Sequence, residues 1–114
     1  MSMRITRLAD AEAFAPSGHS GVGPLRLQGG RDTPTEQVTV VLSHYLPGGE
    51  ADMSPQLVET VYVLLSGELV MISDEQEATL HPYDSVHFTA GTVRQVANRS
   101  ALPASMLVIR PATT

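Results

Sequence analysis

Residues 59–69 read ETVYVLLSGEL. Val61–Leu65 is an unbroken run of β-branched, aromatic and aliphatic residues, and it stops at Ser66-Gly67, a pair typical of tight turns. A run of this length between turn residues favours a β-strand over a helix, because helices in globular proteins usually need about ten or more residues. The stretch therefore predicts a strand, a turn and a second strand that begins at Leu69.

Runs of the same character continue on both sides of this stretch. The other predicted strands are Val38–Tyr45, Leu69–Ile72, Ala78–Leu80, Ser85–Phe88, Val93–Ala97 and Ala104–Ile109. Turn residues separate each strand from the next, and Pro47-Gly48-Gly49 is expected to end the first one. Short strands at a spacing of roughly ten residues are typical of a β-sandwich or barrel. The sequence therefore predicts an all-β fold.

Residues 1–37 show no regular pattern of hydrophobic residues, because glycines and prolines interrupt it throughout. We expect an irregular N-terminal arm with at most one helical turn and a short strand at Leu25–Leu27. Residues 38–114 then form a single barrel domain. An arm with no clear place in its own core should pack on the barrel or on a partner subunit.

Composition narrows the chemistry that the chain can perform. The 114 residues include seven basic residues, all arginines, twelve acidic residues and no cysteine. Schiff-base chemistry, a phosphate-binding P-loop lysine, a thiolate nucleophile and a disulfide framework are therefore excluded. The net charge of −5 disfavours nonspecific binding to nucleic acid or an anionic membrane. No apolar leader is evident, so a cytoplasmic location is the expectation.

Two segments carry a resemblance to the cupin superfamily. Pro47-Gly48-Gly49 followed by residues 59–69 resembles the first motif, which reads Gly, five residues, His-x-His, three or four residues, Glu, six residues, Gly. Residues 83–98, YDSVHFTAGTVRQVAN, resemble the second, which reads Gly, five residues, Pro-x-Gly, two residues, His, three residues, Asn. The resemblance covers about residues 38–110. It implies a small jelly-roll barrel of two antiparallel sheets, similar to RmlC-like cupins, with the site inside.

The departures from these motifs concern the metal ligands. Cupins that bind metal use the two His and the Glu of the first motif and the His of the second. Here those positions hold Met53 and Pro55 (or Ser54 and Gln56 with the shorter spacer), Thr60 and Arg94. The Gly and Pro of the second motif are replaced by Tyr83 and Thr89. A guanidinium puts positive charge where a cation would bind, so we expect no standard metal centre and no cofactor.

Strand periodicity predicts which side chains point into the barrel. Side chains alternate between the two faces of a strand. If the position of the ligand Glu faces inward, the interior set is Thr60, Tyr62, Leu64, Arg94 and Val96. In the first strand Val41, Ser43 and Tyr45 are favoured as inward, and the opposite face with His44 remains an alternative. His19 and His81 are expected to be solvated.

An inward Arg94 would need a partner, because a buried guanidinium loses its hydration. One hypothesis makes Arg94 the anchor of a small carboxylate-bearing ligand, with Tyr62 and Tyr45 lining the cavity. Further candidate ligand-binding residues are Thr60, Glu59, Gln56 and Met53. The alternative leaves Arg94 solvated at the barrel mouth or paired with Glu59. Glu59 faces outward in the strict register, and only a β-bulge would turn it inward.

Three functions remain open at this point. The first is a metal-free isomerase, epimerase or lyase, with His44 or His87 as base and Tyr62 or Tyr45 as acid. The second is a noncatalytic ligand-binding or sensor module. The third is a metalloenzyme with non-standard ligands such as His44, His87 and Glu59. A homodimer is expected in each case, because Val61 and Val63 would leave the outer face of the sheet apolar.

Overall fold

The computed structural model describes residues 2–74 and 76–112, and within them the fold is almost entirely β-structure. The strands are β1 (Glu12–Ala13), β2 (His19–Gln28), β3 (Val38–Pro55), β4 (Thr60–Ser66), β5 (Leu69–Ser73), β6 (Gln76–Leu80), β7 (Ser85–Phe88), β8 (Val93–Ala97) and β9 (Ala104–Pro111). A single 3-10 turn spans Leu8–Asp10. The predicted all-β fold is confirmed. No helix in the described part of the chain has the length and apolarity to cross a lipid bilayer.

The strands form one antiparallel sheet that wraps into a barrel. Its order is β6-β5-β8-β3-β9-β4-β7, and β2 pairs with the free side of β3. The long strand β3 connects the two halves of this sheet, because its residues 38–45 pair with β9 whereas its residues 50–55 pair with β8. One strand that serves two sheets is the arrangement of a jelly-roll barrel.

Strand β4 shows why the sequence folds this way. Thr60, Tyr62 and Leu64 are buried, whereas the alternate side chains of the strand are partly exposed. Tyr62 packs edge-on against Phe88 of β7, with ring centroids 5.3 Å apart. The two-residue period of β4 therefore points alternate side chains into the core of the barrel, which also includes Leu69, Val96 and Met106.

Strand β3 is longer than predicted, and the expectation that it ends at Pro47-Gly48-Gly49 was wrong. The strand bends there and continues to Pro55. Gly48 adopts a positive φ of 81°, and Asn98 fixes the bend through backbone hydrogen bonds of 2.9 Å to Gly48 and Gly49. The Asn98 side chain, 1% exposed, also donates to the carbonyl of Tyr45 at 3.1 Å. A bend held on both sides by buried hydrogen bonds does not interrupt the strand.

The N-terminal segment contains far more strand than the short stretch predicted at Leu25–Leu27. Strand β2 runs for ten residues and pairs with β3 from His19↔Ala51 to Gln28↔Val40. Its glycines hid it from the sequence analysis, yet Gly21 is needed where the register shifts between Ser20 and Val22. Residues 19–28 are therefore a wall of the barrel, and β1 packs on them.

Candidate functional site

A cavity of about 80 Å³ lies inside the barrel, and we call it the inner chamber. Strands β3, β4, β8 and β9 supply most of its wall, and the N-terminal segment supplies the rest through Phe14, Pro16, His19 and Pro24. Its polar lining is His19, Ser43, Tyr45, Tyr62, Arg94 and Arg110. None of the described lining residues is an Asp or a Glu.

Arg94 points into this chamber from β8 and is only 4% exposed. Its Nε donates to the Tyr62 hydroxyl at 2.9 Å, and its Nη1 donates to the Asp52 carbonyl and the Ser54 hydroxyl, both at 3.1 Å. Every one of these acceptors is uncharged. The guanidinium is therefore hydrogen-bonded but keeps its full positive charge inside the barrel.

Arg110 of β9 brings a second guanidinium to the chamber. Its Nη2 donates to Gln56 Oε1 at 3.0 Å, and its Nε is buried with no hydrogen-bond partner in the described chain. The arginines that form ion pairs within residues 2–74 and 76–112 are Arg26 and Arg99. Two positive charges thus line one cavity without a carboxylate to neutralise them, an arrangement that favours a bound anion.

Gln56 connects the two arginines through Tyr62. The amide Nε2 of Gln56 donates to the Tyr62 hydroxyl at 2.8 Å, and its Oε1 accepts from Thr60 Oγ1 at 3.1 Å as well as from Arg110. The Tyr62 oxygen accepts from both Gln56 and Arg94. With its oxygen occupied by two donors, Tyr62 can direct its own proton toward a molecule in the chamber.

Tyr45 is the second phenol of the chamber and is 3% exposed. Burial raises the pKa of Tyr45 well above its usual range, and the neighbouring Tyr62 raises it further, against the opposing effect of Arg94 and Arg110. Tyr45 is therefore a neutral phenol, which can donate a hydrogen bond to a molecule in the chamber but does not serve as a base.

His19 is the histidine that lines the chamber, and it is half-buried there rather than fully solvated as expected. It sits at the start of β2, where pairing with Ala51 brings it over the barrel. Its Nδ1 lies 2.9 Å from the Ser17 carbonyl oxygen, which can only accept. In the neutral ring Nδ1 then carries the proton and Nε2 keeps the lone pair of a base.

The structure separates the other predicted site residues into two groups. Arg94, Tyr62, Tyr45, Thr60 and Gln56 are buried within the barrel. Those that lie on the outside are Met53, Glu59, His44 and His87. Ser43, which strand alternation placed inward, also lines the chamber. Arg110 is the polar lining residue of β9 that the sequence did not predict, because it follows the last residue of a predicted strand.

Glu59 does not point into the barrel, because the register shift of β4 lies between Leu64 and Ser66, too far along the strand to turn it. Its Oε2 lies 2.7 Å from Nε2 of His87, and both side chains are at least half exposed on the outer face. This pairing follows from the register, since Val61 lies opposite His87. Glu59 and His87 are thus removed from the inner chamber, and so is His44, which is exposed and bonded to the Ser105 hydroxyl at 2.9 Å.

The residues at the metal-ligand positions converge but do not form a metal-binding donor set. Ser54 contacts Arg94, and Thr60 contacts Gln56, so the shorter spacer is the one that places the first-motif positions in the network. Two hydroxyls, an amide and a guanidinium do not fit a divalent ion, which needs imidazole or carboxylate donors.

The alternative set of His44, His87 and Glu59 is not assembled, because β9 and β4 lie between the two histidines. The described residues contain no other group of three His, Asp or Glu suited to a metal.

Comparison with known proteins agrees with this architecture. The family model described as the cupin domain matches residues 41–110. A protein of Mycobacterium tuberculosis named β-D-galactosidase is 42% identical over 106 residues, which span 93% of this chain and 91% of that protein.

Two solved structures illustrate the range of similar folds. The polyketide cyclase RemF of Streptomyces resistomycificus superposes with a TM-score of 0.86 at 13% identity, covering 98% of this chain and 81% of that one. A sugar phosphate isomerase of the cupin superfamily from Silicibacter pomeroyi gives a TM-score of 0.78 at 26% identity, covering 94% and 74%. With the family match and the jelly-roll topology in agreement, this chain belongs to the cupin superfamily.

Proposed function

We propose that the chain binds a small anionic metabolite in the inner chamber, and that an anionic sugar or related hydroxy acid fits it best. The observation that carries this is the pair of guanidinium groups, Arg94 and Arg110, which line the chamber with no carboxylate partner. A planar guanidinium matches the oxygens of a carboxylate or phosphate, and two of them would neutralise and orient such a group. The carbohydrate names of the galactosidase and the sugar phosphate isomerase support a sugar as the ligand.

The chamber also carries a donor and an acceptor for proton transfer. Tyr62 has a free proton, and His19 has a free lone pair on Nε2. An isomerase or epimerase needs such a pair to move a proton at the carbon beside a carboxylate or carbonyl group. We therefore favour a protein that catalyses proton transfer on the bound anion over one that only stores or senses it.

Binding is tested by titration calorimetry with galactonate, glucuronate and glucose 6-phosphate, with galactose as the uncharged comparison. Arg94→Ala should weaken binding of the anions by at least about tenfold, since a charge-assisted contact is worth about 1.5–3 kcal/mol. Arg99→Ala is the matched control, because Arg99 is an exposed arginine paired with Glu77. Equal affinity of wild type and Arg94→Ala, or tighter binding of galactose than of every anion, contradicts the proposal.

Catalysis is distinguished from storage by proton exchange. A bound anion incubated in D2O should lose the NMR signal of its acidic C–H only if a base in the chamber removes that proton. His19→Ala should abolish the exchange while leaving anion affinity within about twofold. Binding without exchange in the wild type would favour the noncatalytic module.

Hydrolysis of a β-galactoside is the second candidate, favoured by the relative named β-D-galactosidase, which is 42% identical to this chain over 106 residues. The usual mechanism needs two carboxylic acids beside the glycosidic bond, and the described lining offers none. Tyr62 would then serve as nucleophile, as a tyrosine does in sialidases. Release of nitrophenol from nitrophenyl β-D-galactoside, abolished in Tyr62→Phe, is the expected outcome. No release by the wild type removes this candidate.

A further inference from the structure

A second cavity of about 340 Å³, which we call the outer chamber, adjoins the inner one. The two share four wall residues, Phe14, Val41, Val108 and Arg110. The chambers are therefore neighbours, with Phe14 and the Arg110 guanidinium at the boundary. The outer chamber opens to solvent beside the loop that joins β3 to β4.

The walls of the outer chamber differ in chemistry from those of the inner one. Most of them are apolar, with Leu57, Val58 and Pro111 added to the shared residues. Leu57 is 83% exposed and belongs to the wall of this chamber, so its side chain is free to contact an apolar part of a ligand that enters there. The polar exceptions include Arg26, whose guanidinium stacks 3.8 Å above the centre of the Phe14 ring.

The volumes of the two chambers suggest that one ligand occupies both. About 80 Å³ is well below the roughly 300–1,000 Å³ of typical small-molecule sites, whereas the outer chamber falls within that range. Arg26 of the outer chamber is paired with Glu12. Among the described wall residues, the guanidinium groups without a carboxylate partner are therefore Arg94 and Arg110, whereas the outer chamber offers more space and more apolar surface. Arg110 reaches both and keeps a buried Nε without a protein partner in the described residues.

We propose that the site takes an extended anion, whose acidic group binds Arg94 in the inner chamber and whose uncharged, largely apolar remainder lies in the outer chamber against Leu57 and Val58. This inference rests on the proposed anion site and specifies the shape of its ligand: the sugar acid or hydroxy acid would carry an apolar extension, such as an acyl or aryl group, that reaches the outer chamber. Leu57 and Val58 are then specificity residues, which select for the length of the ligand beyond its acidic end. Phe14 lies in the wall that the two chambers share, next to both parts of such a ligand.

The test uses straight-chain carboxylates from acetate to octanoate as probes, with affinities from ligand-observed NMR and calorimetry. In the wild type, affinity should rise by about fourfold for each methylene that enters the outer chamber, which corresponds to about 0.8 kcal/mol. Val58→Trp should fill that chamber, so octanoate should bind no better than butyrate while acetate binds as before. Arg94→Ala should weaken short and long probes by the same factor.

Leu57→Ser supplies a variant that leaves the fold intact, because the side chain is exposed, and Leu102→Ser is its match at another exposed leucine. Leu57→Ser should weaken octanoate by about threefold or more and leave acetate unchanged, whereas Leu102→Ser should behave as the wild type. Acetate binding with no gain for octanoate overturns the extended-ligand proposal alone, and so does an equal effect of the two serine variants. Failure of every carboxylate to bind overturns the anion site as well.

Discussion

Tyr45 shares the inner chamber with Tyr62, Arg94 and Arg110, and burial dominates its titration. Because the pKa of Tyr45 is raised in the folded protein, the phenol keeps its proton at pH values where the unfolded chain, near its usual pKa of 10.0, loses it. Deprotonation therefore favours the unfolded state. The stability contributed by neutral Tyr45 is fully present below pH 10 and is lost as the pH rises through the folded-state pKa.

The raised pKa of Tyr45 predicts a loss of stability at alkaline pH that can be measured. The unfolding free energy of the wild type relative to Tyr45→Phe should fall above pH 10, by up to about 1.4 kcal/mol per pH unit. Urea unfolding of both proteins from pH 8 to pH 11.5 provides the measurement. A difference that stays constant over this range would contradict the burial of an ionisable phenol at this position.

At the same scale, sequence reasoning found some site residues and missed others. Arg94 and Tyr62 could be placed inward because strand alternation needs only one fixed position per strand. Gln56 was a candidate from the motif spacing alone, and strand alternation could not orient it, because the strand before it was expected to end at Tyr45 and in fact runs to Pro55. His19 lay in a segment whose glycines concealed β2, and its place at the chamber depends on pairing with β3, a contact distant in sequence.

Among the elements, local signals fixed the short strands well and the long bent ones poorly. The bounds of β7 and β8 are those that the sequence predicts, because turn residues flank both. Tyr83 keeps a positive φ of 72° at a position where the family motif has glycine, so the turn survives without the residue that usually makes it. The bend of β3 was read as an end because proline and glycine there resemble a terminator.

The close pairing of β2 with β3 predicts that alanine has different effects on stability at two glycines. A Cβ added at Gly49 would collide with the Gly21 carbonyl, whereas a Cβ at Gly23 meets nothing within 4 Å. Gly49→Ala should therefore lower the unfolding free energy by about 2 kcal/mol or more. Gly23→Ala should be neutral or stabilising by up to about 1 kcal/mol, since alanine restricts the unfolded chain. Chemical denaturation of both variants measures this, and equal effects would contradict the close approach.

For the whole molecule, the outer face of the β9-β4 pair supports a proposed homodimer. Val61 lies opposite Ile109 and Val63 opposite Leu107, and all four side chains are partly exposed. Burial of this apolar strip against a second copy would stabilise a dimer.

Light scattering at micromolar concentration should give twice the mass of 12.2 kDa. Val63→Asp should give monomer and Thr79→Asp, at an exposed position, should stay dimeric. A monomeric wild type rejects the proposal.

The split origin of the inner chamber wall bears on how such a protein changes its ligand over time. The family match begins at residue 41, yet Phe14, Pro16, His19 and Pro24 come from earlier in the chain. Substitutions within residues 12–28 can therefore reshape one wall of the chamber while Arg94 and Arg110 stay in place. The shape of the ligand and the charge that holds it are set by different stretches of the chain.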